Sequence, residues 1–148
     1  MERETQIVIG AYIIFESKVL LIHHNKLDKW LPVGGHIEKN ETPDEAVMRE
    51  AKEEVGLDVE ILSEDPIAFS GNMKSKLALP FHVSVHSVGD HDHCCLFYLC
   101  RAKSDKISVN ARELKNFGWF SKEELFQPHI PEDVRNIALR ALELYKNY

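Results

Sequence analysis

The pattern of hydrophobic and polar positions predicts a chain in which strands dominate the first and middle parts and helices occupy two separate segments. At the N-terminal end, two apolar runs cover residues 6–15 and 18–23, and the polar pair Glu16 and Ser17 lies between them. Such a pattern is typical of two antiparallel strands joined by a tight turn. We therefore expect a hairpin at the start of the fold.

The middle of the chain, residues 59–102, is predicted to be rich in strands. Residues 82–88 alternate strictly between polar and apolar side chains, which is typical of a strand with one buried face. Residues 94–100 form a continuous apolar run, as expected of a buried strand. A further short strand is predicted at residues 117–120.

Residues 43–55 carry the signals of a capped helix. Thr42 and Glu45 have the spacing of a capping box, a proline occupies the first helical position, and Gly56 is placed to end the helix in the left-handed conformation. A second helix is expected after Pro131, because apolar residues recur there at helical spacing. These apolar positions are Val134, Ile137, Ala138, Ala141, Leu142 and Tyr145.

The first predicted helix gathers acidic side chains on one face. Glu50, Glu53 and Glu54 stand at positions i, i+3 and i+4, so their carboxylates are neighbours and repel one another. Arg49 is offset from that face and could pair with Glu41 or Glu53. A hard cation such as Mg²⁺ or Mn²⁺ would relieve the repulsion, and it normally takes waters and substrate phosphates as its other ligands. A solvated acidic face is the simpler alternative, but we disfavour it because such a face would mix lysine with glutamate.

The same segment resembles the Nudix box of the Nudix hydrolases, and it matches that pattern at every charged and glycine position. Two positions nearby differ, since Ala51 is smaller than the usual aliphatic residue and Val33 stands where the family commonly has proline. The resemblance implies an α/β fold, an α/β/α sandwich with a mixed central sheet, and hydrolysis of a diphosphate linkage. The residues that carry it, 35–57, read GHIEKNETPDEAVMREAKEEVGL.

The resemblance also implies roles for individual residues. Glu50, Glu53 and Arg49 are the expected catalytic group of the box. The general base in some members is a box glutamate and in others a glutamate from a later loop, for which Glu113 is the candidate and Asp92 a weaker one. The expected metal ligands, for Mg²⁺ or Mn²⁺, are the Gly34 carbonyl and the side chains of Glu50, Glu53 and Glu54.

Histidines and aromatic residues are the candidates for substrate contacts. His91 and His93 are two residues apart, so on a strand they would face the same side, and we expect that strand to run beside the box helix. A zinc site formed with Cys94 or Cys95 is an alternative, but the spacing matches no closed zinc pattern. The predicted substrate-binding residues are Trp30, His36, His91 and His93. Core packing is the alternative for Trp30, and Phe69 and Phe81 are further aromatic candidates, with core packing favoured for Phe81.

Composition sets limits on location and partners. A chain of 148 residues with 44% hydrophobic content is expected to form a single domain, residues 1–148. The N-terminal sequence lacks the pattern of a signal peptide, so a cytoplasmic location is the default, with no membrane association. The three cysteines predict no disulfide framework. A formal net charge of −6 disfavours long nucleic acid as the main ligand and leaves small nucleotides open.

The most specific function that these observations predict is Mg²⁺-dependent hydrolysis of a small nucleoside diphosphate derivative, either a nucleoside triphosphate or a nucleotide sugar. A catalytically weak ligand-binding or regulatory module is the alternative, although the complete set of box glutamates argues against it. An isomerase of isoprenoid diphosphates on a related fold would need an acid and base pair of its own, which is not evident in the sequence. Homodimer formation is left open.

Overall fold

A computed structural model describes residues 2–109, 112 and 114–148. The described residues form eight strands and two α-helices, and a short 3₁₀ helix at Glu124–Phe126 precedes the second α-helix. In chain order the elements are β1 (Thr5–Phe15), β2 (Lys18–His24), β3 (Lys29–Leu31), β4 (Val33–His36), α1 (Pro43–Val55), β5 (Val59–Leu62), β6 (His82–Ser87), β7 (Asp92–Ala102), β8 (Leu114–Phe120) and α2 (Glu132–Tyr145).

The strands build one mixed sheet around β1. Strand β1 pairs with β7 in parallel along ten positions, and it pairs with β2 and β4 in antiparallel orientation. The remaining antiparallel pairs are β2 with β3 and β8, and β7 with β5 and β6. The expected mixed central sheet is therefore confirmed.

Alternation along β1 assigns the two faces of the sheet to the two helices. Ile9, Ala11 and Ile13 belong to the hydrophobic cluster under α1, whereas Tyr12 and Ile14 belong to the cluster under α2. All five side chains are at most 2% exposed. Because neighbouring strand residues point to opposite faces, one strand fills both cores. The arrangement is the predicted α/β/α sandwich.

Helix α1 has the predicted bounds and caps. The Thr42 hydroxyl accepts a hydrogen bond from the Glu45 amide at 3.2 Å, and the Glu45 carboxylate accepts one from the Thr42 amide at 3.0 Å. Gly56 ends the helix at φ 69°, in the left-handed region where glycine is favoured. These local interactions set where α1 begins and therefore where its glutamates lie.

Several other expectations are confirmed and two need correction. The hairpin of β1 and β2 turns at Glu16 and Ser17, both with positive φ, and α2 starts after Pro131. The β-rich middle is interrupted, because residues 63–81 contain no strand. The last strand starts three residues earlier than predicted, at Leu114.

Among the described residues, no helix is long and apolar enough to cross a bilayer.

Candidate active site

Arg49 lies at the centre of a group of carboxylates that α1 and the loop before it contribute. Its Nε and Nη2 donate to the two oxygens of Glu41 at 2.7 and 3.0 Å, and its Nη1 donates to Glu50 at 2.9 Å and Glu53 at 3.3 Å. Nη2 also donates to the backbone carbonyl of His36 at 2.9 Å. One guanidinium thus ties two helix glutamates to the loop that enters the helix. The predicted pairing with Glu41 or Glu53 is present with both, and Glu50 is added.

The hydrogen bonds between Arg49 and Glu41 favour the ionised forms of both side chains. The Arg49 side chain, together with the Glu38 amide, lowers the pKa of Glu41 from 4.5 to about 2. The hydrogen bonds that Arg49 donates to Glu41 are also the main reason why the pKa of Arg49 is raised, and the hydrogen bond to Glu50 is the next cause that raises it. At neutral pH the carboxylate and the guanidinium are therefore both ionised, and their fork geometry is fixed.

Glu54 differs from the other two helix glutamates because it is buried. It is 3% exposed, and one of its carboxylate oxygens accepts a hydrogen bond from the Gly34 amide at 3.0 Å. The side chain of Glu53, one position earlier, is 60% exposed. A buried carboxylate is costly unless it is partnered, and the Gly34 amide supplies a partner here.

The two glycines of β4 allow the backbone to come close to its neighbours. A Cβ added to Gly35 would lie 2.3 Å from Oε1 of Glu50, and a Cβ added to Gly34 would lie 2.3 Å from the Ile9 carbonyl oxygen. Gly35 thus leaves room for the Glu50 carboxylate, and Gly34 leaves room for the adjacent strand. The backbone of β1 therefore requires glycine at position 34, whereas a side chain at position 35 would displace only the carboxylate of Glu50.

The donor set of this group fits a hard divalent cation. Glu50, Glu53 and Glu54 offer only oxygen atoms, and Arg49 Nη1 contacts the first two within 3.3 Å, which shows that these carboxylates are close together. Within the described ranges, no three acidic, histidine or cysteine side chains already form a metal-binding cluster. The side chains are therefore of the chemical type that Mg²⁺ prefers, but the three carboxylates are not already gathered around one point, and Mg²⁺ would retain water in the remaining positions. The predicted ligation by the Gly34 carbonyl stays a prediction.

Two residues outside the helix, Glu113 and Asp92, are candidates for the general base. Glu113 lies outside the described residues, so its role stays a prediction. Asp92 starts β7, and its carboxylate accepts a hydrogen bond from Arg3 Nε at 2.7 Å. That ion pair ties Asp92 to the N-terminal segment, which makes it a poor candidate for taking a proton in the carboxylate group.

The histidines predicted to contact substrate lie together on the sheet. The Nε2 atoms of His91 and His93 are 3.2 Å apart, and the rings of His36 and His93 meet edge to face at 5.3 Å. The strand that follows them runs beside the box helix as expected, since β7 contributes Tyr98, Cys100 and Ala102 to the core under α1, but the histidines themselves point away from that helix. His93 pairs across the sheet with His86, which contacts Asp133 of α2 at 3.1 Å, so these imidazoles lie on the face opposite α1.

The aromatic candidates divide between packing and exposure. Trp30 stacks on His23 with ring centroids 5.3 Å apart and packs against the core under α2. Phe81 packs in the same core with its ring edge to face against Tyr12, which agrees with the favoured interpretation. Phe69 is exposed in the segment between β5 and β6. Trp30 is therefore partly committed to packing, and its contact with a substrate stays a prediction.

Sequence reasoning missed three residues that support these groups. Glu38 lies 3.6 Å from Arg49, and its amide donates to Glu41. The amide oxygen of Gln6 accepts a 2.6 Å hydrogen bond from Nε2 of His36. His86 was not assigned to the site. Strand alternation places Gln6 and His86 beside His93 once the register is known, but the sequence alone does not give that register.

Comparison with known proteins supports one family. The family model described as the NUDIX domain matches residues 4–141. The crystal structure of a Nudix-family hydrolase from Clostridium perfringens is 35% identical, covers 98% of this chain and 99% of its own, and has a TM-score of 0.84. An RNA pyrophosphohydrolase from Campylobacter jejuni is 27% identical over 95% of this chain and 88% of its own length. The nucleoside triphosphatase NudI from an Enterobacter species is 28% identical over 72% of each.

Proposed function

Because this chain belongs to the Nudix hydrolase family and is a pyrophosphohydrolase of that type, we propose that it cleaves the diphosphate linkage of a small nucleotide. The substrate class is a nucleoside triphosphate or a nucleotide sugar, and the required cation is Mg²⁺, with Mn²⁺ as a substitute. The observation that carries the proposal is the buried carboxylate of Glu54, held by the Gly34 amide beside the group centred on Arg49.

The cation would be held at the end of β4 and along α1. It would supply positive charge to the phosphate oxygens and acidify a bound water. The oxygen-only donor set and the partial exposure of Glu53 suit a Mg²⁺ ion that keeps several waters. The proposed ligands are the Gly34 carbonyl and the carboxylates of Glu50, Glu53 and Glu54.

The protein side chains position the reacting groups and accept the proton. Arg49 holds Glu50 and Glu53 through one nitrogen, so it fixes their mutual position without contacting the reacting phosphorus itself. Either Glu50 or Glu53 can accept a proton from the attacking water, since both are carboxylates close to where the phosphates would lie. Glu113 is proposed as the alternative base from the later loop.

Substrate contacts are proposed on the other side of β4. His36, His93 and His91 form a row in which each ring contacts the next, and neutral or protonated imidazoles can both donate hydrogen bonds to phosphate oxygens. Trp30 is proposed to stack on the base, because an aromatic face accepts any base. The single domain covering residues 1–148, a cytoplasmic location and a homodimer are likewise proposals.

A second candidate substrate is an RNA end. Relatives named RNA pyrophosphohydrolase cover most of this chain, at 27% identity in the example from C. jejuni. The formal net charge of −6 argues against extended contacts with an RNA backbone, because such contacts depend on lysine and arginine. We therefore favour the small nucleotide, and the substrate panel below separates the two. A ligand-binding or regulatory module with weak catalysis remains the non-enzymatic alternative for this chain's biological role.

The test is a release assay for phosphate and pyrophosphate with Mg²⁺ or Mn²⁺. The panel contains nucleoside triphosphates, nucleotide sugars, ADP-ribose, dinucleoside polyphosphates and an RNA with a 5′-triphosphate. Glu54→Gln keeps the acceptor oxygen for the Gly34 amide but removes the charge, and we expect it to lose at least about 100-fold in activity. Glu143→Gln, on an exposed part of α2, is the matched control.

Each result has a defined meaning. Turnover of one small nucleotide class that Glu54→Gln abolishes and Glu143→Gln retains would support the proposal and name the substrate. Turnover of the RNA alone would replace the small nucleotide with the second candidate. Wild-type activity in Glu54→Gln would contradict the proposed metal site, and tight binding of a nucleotide without turnover would favour the regulatory module.

A further inference from the structure

Two imidazoles at the start of β7 have their nitrogen atoms in close contact. His91 immediately precedes β7 and His93 is the second residue of that strand. The Nε2 atoms of His91 and His93 are 3.2 Å apart, their ring planes are inclined at 62°, and the ring centroids are 5.0 Å apart, so the two side chains lie on the same side of the backbone. Two imidazole nitrogens at this distance form a hydrogen bond when no ion is present, and they are close enough for one ion to contact both.

Asp90 determines which nitrogen of His91 carries the proton. Its Oδ1 lies 2.7 Å from His91 Nδ1, and an ionised carboxylate can only accept a hydrogen bond, so Nδ1 of neutral His91 is the protonated nitrogen. The lone pair of Nε2 then points towards His93. Histidines that bind metals typically donate their other ring N–H to a carboxylate, and the Asp90–His91 contact has that arrangement.

The separation of the two nitrogens matches the size of a zinc site. Zinc binds imidazole nitrogen at about 2.0–2.1 Å, so two nitrogens 3.2 Å apart would subtend roughly 100° at the ion. This angle is close to the tetrahedral value. We propose that His91 and His93 form a binding site for a borderline divalent transition metal, Zn²⁺ or Ni²⁺, that is separate from the carboxylate group on α1.

Two imidazoles alone do not fill the coordination shell of a zinc ion. No third histidine, cysteine or carboxylate of the described residues completes the set, so water would fill the other positions and the site would be open.

The turn that presents the pair is held in place from outside the hairpin. Arg3 Nη2 donates to the carbonyl of His91 at 3.0 Å and to the carbonyl of Gly89, and Arg3 Nε pairs with Asp92. These contacts fix the backbone on both sides of His91. The imidazole pair therefore does not have to order a mobile loop when it binds a cation, which reduces the cost of binding.

Ligand chemistry separates this site from the proposed magnesium site. Imidazole nitrogen suits zinc, nickel and copper, whereas carboxylate and carbonyl oxygen suit magnesium. The pair also lies on the α2 face of the sheet, since the cross-strand partner of His93, His86, contacts Asp133 of α2. The proposal does not depend on the hydrolase function, because it concerns metal binding alone.

The first experiment is a calorimetric titration of the untagged protein with Zn²⁺ in the presence of millimolar Mg²⁺. We expect one site per chain that Mg²⁺ does not block, and at least tenfold weaker binding in His91→Gln and in His93→Gln. His129→Gln removes a different exposed imidazole and should leave the affinity unchanged. Asp90→Asn should weaken binding by about 10–100-fold without removing it, because it alters only the orienting group.

A second experiment keeps the proposal testable even if a variant folds poorly. Substoichiometric Ni²⁺ added to the wild-type protein should broaden the ring proton signals of His91 and His93 before those of His23 and His129. Zinc binding of equal strength in the double variant His91→Gln/His93→Gln would overturn the proposal. So would uniform broadening of all histidine signals, or an absence of any Zn²⁺ binding by the wild-type protein.

Discussion

Replacing Gly35 by alanine should separate the catalytic geometry from the stability of the fold. The new Cβ would lie 2.3 Å from Oε1 of Glu50, whereas ordinary contact begins near 3.4 Å, so the carboxylate has to move by about 1.1 Å. Gly35 has no positive φ, and therefore its backbone accepts alanine without strain. The displaced group is the end of a flexible side chain, so the fold should adjust at little cost.

The displacement is expected to affect the reaction strongly. Moving Glu50 by this amount breaks the 2.9 Å hydrogen bond from Arg49 Nη1 or pulls the guanidinium away from Glu53. Misplacement of a catalytic group by 1 Å can cost about 100-fold in rate, which corresponds to about 2.7 kcal/mol of transition-state stabilisation. We expect kcat of Gly35→Ala to fall by about this factor, with a change in the thermal midpoint of no more than a few degrees.

The neighbouring glycine provides the matched control. A Cβ on Gly34 would meet the backbone of β1, with the Ile9 carbonyl oxygen at 2.3 Å and the Gly10 Cα at 3.2 Å. Backbone atoms in a paired strand cannot move aside cheaply, and overpacking of this kind costs about 1–3 kcal/mol. Steady-state kinetics and thermal unfolding of both variants test the reasoning. Wild-type kcat in Gly35→Ala, or a loss of stability as large as that of Gly34→Ala, would refute it.

Three further predictions concern the group around α1. Arg49→Lys keeps the positive charge but loses the planar guanidinium that contacts several carboxylates at once. We therefore expect kcat to fall by about 10–100-fold, while Mg²⁺-independent nucleotide binding, measured by calorimetry, changes less. Glu41 has its pKa lowered from 4.5 to about 2, so its stabilising contribution is present above pH 4.5 and is lost as the pH falls towards 2; the thermal midpoint of Glu41→Gln should accordingly depend less on pH across that range than that of the wild type. Thr42→Ala removes the capping hydroxyl, and chemical denaturation should show a loss of about 1 kcal/mol, whereas no loss would mean that the capping box contributes nothing to α1.

The position of α1 could be predicted from the sequence because its signals are local. The capping box, the proline and Gly56 act within one turn of each helix end, and the helix observed at Pro43–Val55 has the predicted bounds. The same holds for the turn at Glu16 and Ser17. Such features depend on few neighbours along the chain, so one sequence is sufficient to find them.

The differences between the helix glutamates could not be predicted in this way. The spacing of Glu50, Glu53 and Glu54 predicts that they share a helix face, but it does not predict how exposed each side chain is. In the structure Glu54 is 3% exposed, whereas the Glu53 side chain is 60% exposed. Burial is decided by Gly34, twenty residues earlier, whose amide binds Glu54. The side of the sheet on which His93 lies could not be predicted from the sequence either, because it depends on the register of β7 with β1 and β6.

Strand β4 connects the carboxylate group around Arg49 with the imidazole row of His36, His93 and His91. The connection arises because successive residues of a strand face opposite sides of the sheet. Gly35 faces the α1 side, where it makes room for Glu50, and the ring of His36 faces the α2 side, where it contacts His93. The carbonyl of His36 accepts a hydrogen bond from Arg49, so any shift of β4 must move the carboxylate group and the imidazole row together. A ligand bound to the imidazoles therefore has a direct structural route to the proposed catalytic group, through one residue. Zinc bound at His91 and His93 should therefore affect the kinetics of the wild-type enzyme by displacing His36 and by occupying two of the proposed substrate contacts. A zinc effect on kcat that persists when His36, His91 and His93 are all replaced would have to arise at the carboxylates instead.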